Sequence, residues 1–186
     1  MIAIVTDTMV DMERPGATTL RGKPLTVIGP ELKPGDKAPD FHGVDNALNA
    51  VDLAATGRGV RIFSVVPSLD TPVCDMETRR FNEEAGKLGD GVEVWTISMD
   101  LPFAQKRWCG AAGVTRVKAL SDFRDKSFGQ RYGTLIKDGP LAGLEARAVF
   151  VVGKDGQVKH AEYVKEITTE PNYDAALAAA RQAAAG

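Results

Sequence analysis

The sequence predicts an α/β fold in which a central mixed β-sheet is flanked by helices and preceded by an N-terminal β-hairpin. Three apolar runs rich in β-branched residues, 60–66, 92–98 and 147–152, predict strands buried on both faces. A helical pattern separates the first two runs, and an Asp-Gly turn signal follows the third. With 186 residues, 44% of them hydrophobic, the chain can build one sizeable core.

The elements follow in order from local signals. The stretch "TTLRGKPLTVIG" at residues 18–29 predicts two short strands around a turn at Arg21, Gly22 and Lys23. A Pro- and Gly-rich connecting segment, "PELKPGDKAPDF", leads into the main domain. One helix is predicted over Pro72–Leu88 and a second from Pro102 to about Ala112, each with proline at its first position.

The second half of the chain continues the alternation. Short helical or turn segments are predicted around "KSFGQRYG". The segment "GKDGQV" predicts a hairpin turn that connects the third buried run to a strand over residues 157–164. An Ala-rich helix with Pro171 near its first turn closes the chain. The commonest fold with this element order is thioredoxin-like. We expect one domain over residues 16–186 and a flexible extension over residues 1–15.

Composition and charge exclude several classes of function. The net charge of -2, with acids and bases interspersed, gives no reason to expect nucleic acid as a partner. No apolar run approaches the roughly 20 residues of a membrane span. The first residues carry acids and lack a basic segment, so we expect no secretory signal and a cytoplasmic protein. Two cysteines and two histidines, His42 and His160, without ligand spacing predict no metal site.

Cys74 admits two interpretations from its own surroundings. It could be a small buried side chain that only fills space in the core. On this interpretation it shares one helix face with four other residues: Thr78, Phe81, Ala85 and Leu88. It also lies in the first helical turn, where the positive end of the helix dipole favours a thiolate. Thr71 could meet the sulfur or only cap the helix, and Pro67 could shape a site or only end the strand. At this level both interpretations stay open.

The spacing Pro67-x-x-x-Thr71-x-x-Cys74 resembles the active-site signature of the peroxiredoxins, thiol enzymes that reduce peroxides. Four further segments resemble the bacterial thiol peroxidase subfamily, an atypical 2-Cys group: "SMDLPFAQKRWCG", "LSDFR", "KDGPLAGLEARAVFVV" and "EITTEPNYDAAL". The similarity extends over about residues 16–180, nearly the whole chain.

The resemblance implies a role for each residue of the signature. Cys74 would be the peroxidatic nucleophile that becomes a sulfenic acid, Thr71 would orient the thiolate and the peroxide, and Pro67 would shield the sulfur. Backbone N–H groups near Val73 and Cys74 would contact the peroxide oxygens. The family's catalytic arginine corresponds to Arg147. The alternative interpretation of Arg147 is a solvated charge at the end of a strand. An antiparallel strand there would begin at the sheet edge where the strand before Cys74 ends.

The resemblance also implies how the cycle is completed. Cys109 would be the resolving cysteine that forms an intramolecular disulfide with Cys74, although it too could be a buried thiol. Thioredoxin would reduce that disulfide, and the enzyme would be a homodimer acting on hydrogen peroxide and organic hydroperoxides without metal or other cofactor. Leu101 and Phe103 could form an apolar lip that favours alkyl hydroperoxides, or pack in the core. His42 and His160 are expected to have no catalytic role.

Three other functions fit the sequence less well. A thiol–disulfide oxidoreductase would prefer Cys-x-x-Cys at the helix entry, where this chain has Glu77. A glutathione-peroxidase-like enzyme would need Gln and Trp partners that the sequence does not place. A sensor domain would let its two thiols react once and then stop, whereas an enzyme would turn over.

Overall fold

A computed structural model describes residues 9–186 of the chain. The strands are β1 (Glu13–Leu20), β2 (Lys23–Ile28), β3 (Gly43–Asp45), β4 (Ala50–Val51), β5 (Val60–Val65), β6 (Val92–Ser98), β7 (Val117–Ser121), β8 (Leu135–Ile136), β9 (Ala148–Val152) and β10 (Val158–Tyr163). The helices are α1 (Pro72–Leu88), α2 (Pro102–Ala112), α3 (Ser127–Tyr132) and α4 (Tyr173–Ala185). No helix within residues 9–186 is long and apolar enough to cross a membrane.

The central sheet has seven strands in the order β10-β9-β5-β6-β7-β3-β4. Strands β5, β6 and β7 are parallel, whereas β9 runs antiparallel to β5 and β10 antiparallel to β9. All residues of β5 are buried, as expected for a central strand with both faces covered. This mixed sheet is the thioredoxin-like arrangement that the sequence predicts.

The two faces of the sheet have separate cores. On one face, Phe81 of α1 and Leu177 of α4 pack with Ile62 and Val94 of the sheet, and Trp108 of α2 joins them. On the other face, α3 and the segment before β3 cover an aromatic cluster: Phe41, Phe63, Phe128, Tyr132 and Phe150. The rings of Phe128 and Tyr132 stack with centroids 4.1 Å apart. Helices therefore flank the sheet on both faces, as predicted.

The N-terminal hairpin is confirmed, but it starts earlier than expected. Leu20 pairs with Lys23, and Arg21 and Gly22 both have positive φ, as a two-residue hairpin turn requires. Strand β1 begins at Glu13 because Arg14 anchors it by donating hydrogen bonds to the carbonyls of Gly29 and Gly133. The expected domain start at residue 16 therefore lies inside the hairpin. Residues 1–8 lie outside the described residues, and flexibility of the extension stays a prediction.

Strand β7 of the central sheet was not predicted. The sequence order of a β-α-β unit followed by β-β-α omits β7, which lies parallel to β6 and completes a second β-α-β unit with α2. β7 has only five residues, and its second residue, Lys118, is exposed, so its apolar signal is weak. The predicted bounds of α1 and α2 are confirmed.

The topology brings distant segments to one edge of the sheet. The parallel strands β5, β6 and β7 all end there, and the antiparallel strand β9 begins there, since Val65 pairs with Ala148. Arg147, directly before β9, therefore stands beside the loop that leads from β5 into α1.

Candidate active site

The loop between β5 and α1 is held by one carboxylate, that of Asp100 just after β6. Asp100 accepts hydrogen bonds from the Ser68 hydroxyl and the Leu69 backbone N–H, each at 2.8 Å. The Ser98 hydroxyl donates to the same carboxylate at 2.8 Å. The entry to α1 is thus fixed to the end of the neighbouring strand, which gives the first turn of the helix a defined position.

Thr71 stands at the N-cap of α1 without acting as its cap. Its backbone is extended and Pro72 follows at the first helical position, as in an ordinary helix start. The side chain makes no capping hydrogen bond and instead donates to Cys74 Sγ at 2.6 Å. Of the two interpretations of Thr71, the geometry favours contact with the sulfur.

Cys74 is fully buried in the first turn of α1, against Val66, Leu69 and the partly buried Trp108. In this turn the N–H groups of Val73 and Cys74 have no intrahelical partner, because four residues must precede a helical donor. Pro67 is buried directly after Val66, at the end of the strand that leads to the site. The sulfur therefore lies in an apolar setting with backbone donors beside it.

Arg147 uses all three nitrogens of its guanidinium group inside the protein. Its side chain is only 2% exposed. Nε donates to the Ile167 carbonyl at 2.9 Å, one terminal nitrogen donates to Glu77 at 2.6 Å, and the other lies 3.3 Å from Cys74 Sγ. Burial alone would lower the pKa of Arg147, but the adjacent Glu77 and Cys74 raise it above its ordinary value. The alternative of a solvated strand-end charge is wrong.

Glu77, which stands where a thiol–disulfide oxidoreductase would have its second cysteine, is a buried partner of Arg147. One carboxylate oxygen binds Arg147, and the other accepts from the Ser64 hydroxyl at 2.7 Å. Burial raises the pKa of Glu77 to about 7, although the charge of Arg147 and the hydrogen bonds from Ser64 and Arg147 oppose this shift. Glu77 lies three residues after Cys74 and therefore on the same face of the helix, and this spacing could have predicted that it belongs to the site.

This arrangement suits a sulfur nucleophile that reacts as its anion. A guanidinium that stays charged and a hydroxyl donor both stabilise a thiolate. The unpaired N–H groups at the helix entry offer donors to a substrate oxygen that gains negative charge. Within residues 9–186 no group of three His, Cys, Asp or Glu side chains is arranged to hold a metal ion.

A family model described as Redoxin matches residues 33–177 of the chain. The chain belongs to the Redoxin family. The thiol peroxidase of Bacillus subtilis (strain 168) is 54% identical over 163 residues, which cover 88% of this redoxin and 95% of the relative. The thiol peroxidase of Clostridium acetobutylicum is 52% identical over 163 residues, 88% of this redoxin and 96% of the relative.

Solved structures agree with the fold. A peroxiredoxin-like protein from Aquifex aeolicus superposes with a TM-score of 0.84 at 44% identity, covering 89% of this redoxin and 95% of that chain. The thiol peroxidase from Chromobacterium violaceum gives a TM-score of 0.78 at 23% identity, with 85% and 91% covered. Since relatives of about half identity along most of the chain are thiol peroxidases, this redoxin is a thiol-dependent peroxidase of the peroxiredoxin type.

Cys109 is not brought together with Cys74, and both cysteines are free thiols. Cys109 lies in the last turn of α2, half-buried, in a cleft beside Asn46, Trp95 and Val117. Burial raises the pKa of the Cys109 thiol, and a hydrogen bond with Asn46 partly opposes the shift. The carbonyl of Cys109 accepts from the backbone N–H of Gly113, which caps the helix in a left-handed conformation.

The remaining candidates lie outside the Cys74 cluster. His42 is exposed, 3.4 Å from an Asp125 carboxylate oxygen, and His160 lies in the edge strand β10. Leu101 and Phe103 at the start of α2 are 50% and 67% exposed, so the alternative that they pack in the core is wrong.

Proposed function

We propose that this redoxin reduces hydrogen peroxide and organic hydroperoxides through Cys74, resolves the product with Cys109 and is recycled by thioredoxin. The observation that carries the proposal is the pair of donors on one buried sulfur, with Thr71 Oγ1 at 2.6 Å and an Arg147 terminal nitrogen at 3.3 Å. The thiol peroxidase relatives support the same chemistry.

In the first step the Cys74 thiolate attacks one peroxide oxygen and the O–O bond breaks. The distal oxygen leaves as hydroxide or alkoxide and takes up a proton, so that Cys74 becomes a sulfenic acid. Thr71, Arg147 and the N–H groups of Val73 and Cys74 orient the reacting atoms and stabilise the developing charge. Pro67 keeps water from the sulfur.

In the second step the Cys109 thiol attacks the Cys74 sulfenic sulfur, forming a disulfide and releasing water. A disulfide needs α-carbons within roughly 7 Å. Because Cys109 lies in the last turn of α2 and Cys74 in the first turn of α1, we propose that the end of α2 unwinds. Gly110 and the left-handed Gly113 lower the stability of that end.

The third step is thiol–disulfide exchange with a dithiol protein, thioredoxin, which restores both thiols. A cycle that alternates between two thiols and a disulfide and is reset by a dithiol protein fits a reducing compartment, and we propose the cytoplasm. We also propose a homodimer, supported by the exposed Leu101 and Phe103 beside the active-site loop. The same two side chains offer an apolar contact for alkyl hydroperoxides.

The test compares Cys74→Ser with Cys109→Ser in peroxide consumption coupled to thioredoxin and its reductase. We expect Cys74→Ser to lose turnover, because a hydroxyl is a far poorer nucleophile than a thiolate at neutral pH. Cys109→Ser should consume one peroxide per chain, accumulate sulfenic acid and then stop. Sustained turnover by Cys74→Ser would overturn the proposal, and a wild-type protein that reacts once and stops would favour the sensor function.

A further inference from the structure

The segment of residues 164–169, directly after β10, lies between the N-terminal hairpin and the active site. The Val164 N–H donates to the Arg147 carbonyl at 3.0 Å, and the Ile167 carbonyl accepts from Arg147 Nε at 2.9 Å. The segment therefore holds both the backbone and the side chain of Arg147.

The hairpin in turn fixes Ile167. The Ile167 N–H donates to the Thr19 carbonyl at 2.9 Å, and the Thr19 N–H donates to the Lys165 carbonyl at 2.7 Å. The Ile167 side chain is 4% exposed and belongs to a small core that includes Leu25 and Val27 of β2. Strands β1 and β2 therefore set the position of the Ile167 carbonyl that meets Arg147.

The carboxylate of Glu166 fastens this segment to the turn of the hairpin. It accepts hydrogen bonds from the N–H groups of Arg21 and Gly22, each at 3.0 Å, and from the Thr19 hydroxyl at 2.7 Å. Thr168 donates to it with its N–H at 3.2 Å and its hydroxyl at 2.9 Å. The hydrogen bonds from Gly22 and Thr19 lower the pKa of Glu166 to about 2, so the carboxylate is ionised at neutral pH. Two oxygens that can only accept thus face five donors.

The planar guanidinium of Arg147 carries this fixation to the Cys74 sulfur. The Ile167 carbonyl and the Glu77 carboxylate hold two of its three nitrogens, and the plane then places the third nitrogen 3.3 Å from Cys74 Sγ. If the Ile167 carbonyl moves, the guanidinium can turn about its remaining bond to Glu77. Its distance to the sulfur is then no longer fixed.

We propose that Glu166 is a positioning residue that locks residues 164–169 to the hairpin and thereby holds Arg147 against Cys74. The proposal rests on the proposed function, because Arg147 acts in the first step of that cycle. The hydrogen bonds of Glu166 are with the hairpin and Thr168, so Glu166 takes no part in the bond changes at Cys74. The N-terminal hairpin becomes a support of the active site.

The experiment compares Glu166→Gln with the matched control Glu170→Gln in the full-length chain. Glutamine keeps the shape of glutamate, but its NH2 group faces donors where a carboxylate oxygen accepted from them. Glu170 is exposed in the same connection between β10 and α4, and its carboxylate accepts from the Tyr173 hydroxyl at 2.8 Å. The control therefore removes the same charge close by without changing a contact to the hairpin.

The first readout is the reaction of Cys74 with hydrogen peroxide in a Cys109→Ser background, followed by stopped-flow fluorescence because Trp108 packs against Cys74. We expect the second-order rate constant to be about two- to tenfold lower in Glu166→Gln, the range that one hydrogen bond of ordinary strength gives, and unchanged in the control. With Cys109 in place, kcat/KM for peroxide should fall by the same factor. The value of kcat/KM for thioredoxin should not fall, because Arg147 acts before the disulfide exists.

A double-mutant cycle separates action through Arg147 from general loosening of the fold. Arg147→Lys lacks the Nε donor that meets Ile167, so adding Glu166→Gln to it should cause no further slowing. If Glu166→Gln does not fold, Thr19→Val removes one of the five donors and should give the same pattern with a smaller amplitude.

The proposal is wrong if Glu166→Gln and Glu170→Gln react with peroxide at equal rates. It is also wrong if Glu166→Gln slows the reaction equally with arginine and with lysine at position 147. A wild-type protein that does not react with peroxide would instead count against the proposed function.

Discussion

At the scale of single residues, the site places two acidic groups on one guanidinium. Arg147 contacts the Cys74 sulfur and the Glu77 carboxylate with different nitrogens, and all three side chains are buried. Buried charges are costly unless they are paired, so the protonation of Glu77 affects both the stability of the fold and the charge available to Cys74.

We predict that Glu77→Gln removes part of the pH dependence of stability. The pKa of Glu77 is raised from 4.5 to about 7 in the folded protein, so between these pH values the folded state binds the proton that the unfolded chain has released. Stability from this group is therefore complete below about pH 4.5 and is lost as pH rises through 7. The loss is about 3 kcal/mol for Glu77, and it is absent for glutamine, which does not titrate.

The measurement is the free energy of unfolding in urea at a series of pH values from 4.5 to 8. Burial also raises the pKa values of Asp122, to about 6, and of Glu145, but both groups are present in wild type and variant alike. Glu83→Gln, on the exposed side of the same helix, is the control. Parallel curves for wild type and Glu77→Gln would show that Glu77 is ionised throughout this range.

The sequence was sufficient for the residues that a local spacing or a strand order can place. Thr71 and Cys74 are three positions apart at the entry to α1, and the resemblance to the peroxiredoxins implied Arg147, which an antiparallel strand order allows to meet them. Glu77 and Asp100 could not be assigned in this way, because their partners are 70 and 31 or 32 positions away in the chain. Only the folded protein shows that these carboxylates accept hydrogen bonds instead of facing water.

At the scale of elements, α2 carries the conformational step of the proposed cycle. Cys109 is in its last turn, and the helix ends at the left-handed Gly113. Local opening of such an end draws on the least stable part of a fold and does not require global unfolding. We expect the pairing of β6 with β7 beneath the helix to persist during this step.

We predict that hydrogen exchange near Cys109 is faster in the disulfide form than in the reduced form. The affected amides should be those of residues 107–113, since their helical hydrogen bonds are lost when Cys109 moves to Cys74. Cys109→Ser treated with peroxide is the control, because it is oxidised at Cys74 but cannot form the disulfide. Equal protection in both forms, with the disulfide confirmed by mass spectrometry, would mean that no unwinding is needed.

Element prediction succeeded where a run was long or strongly apolar. Helix α1 has a proline start and a 17-residue pattern, and β5 and β9 are apolar throughout most of their length. Strands β3 and β4 have three and two residues, too few for a periodic signal. β7 pairs with β6 along its whole length, and the sequence of its five residues does not predict this pairing.

At the scale of the whole molecule, the start of α2 connects the active site to the surface. Asp100 holds the loop before α1, and the nearby Leu101 and Phe103 project into solvent at 50% and 67% exposure. Exposed apolar side chains next to a functional loop are typical of an interaction surface. A second copy of the chain would cover them and fix the loop in both subunits.

We therefore predict that Phe103→Glu dissociates the proposed homodimer. In a symmetric interface each substitution acts twice, and burying one phenylalanine contributes about 1.5–3 kcal/mol, so the dimer dissociation constant should rise by roughly 10² to 10⁴. Sedimentation velocity of reduced protein at micromolar concentration measures this change. Met12→Glu, which alters an exposed apolar residue before the hairpin, should leave the dimer intact. A wild-type monomer, or equal dissociation by both variants, would rule out this surface as the interface, and Leu101 and Phe103 would then remain only as an apolar contact for alkyl hydroperoxides.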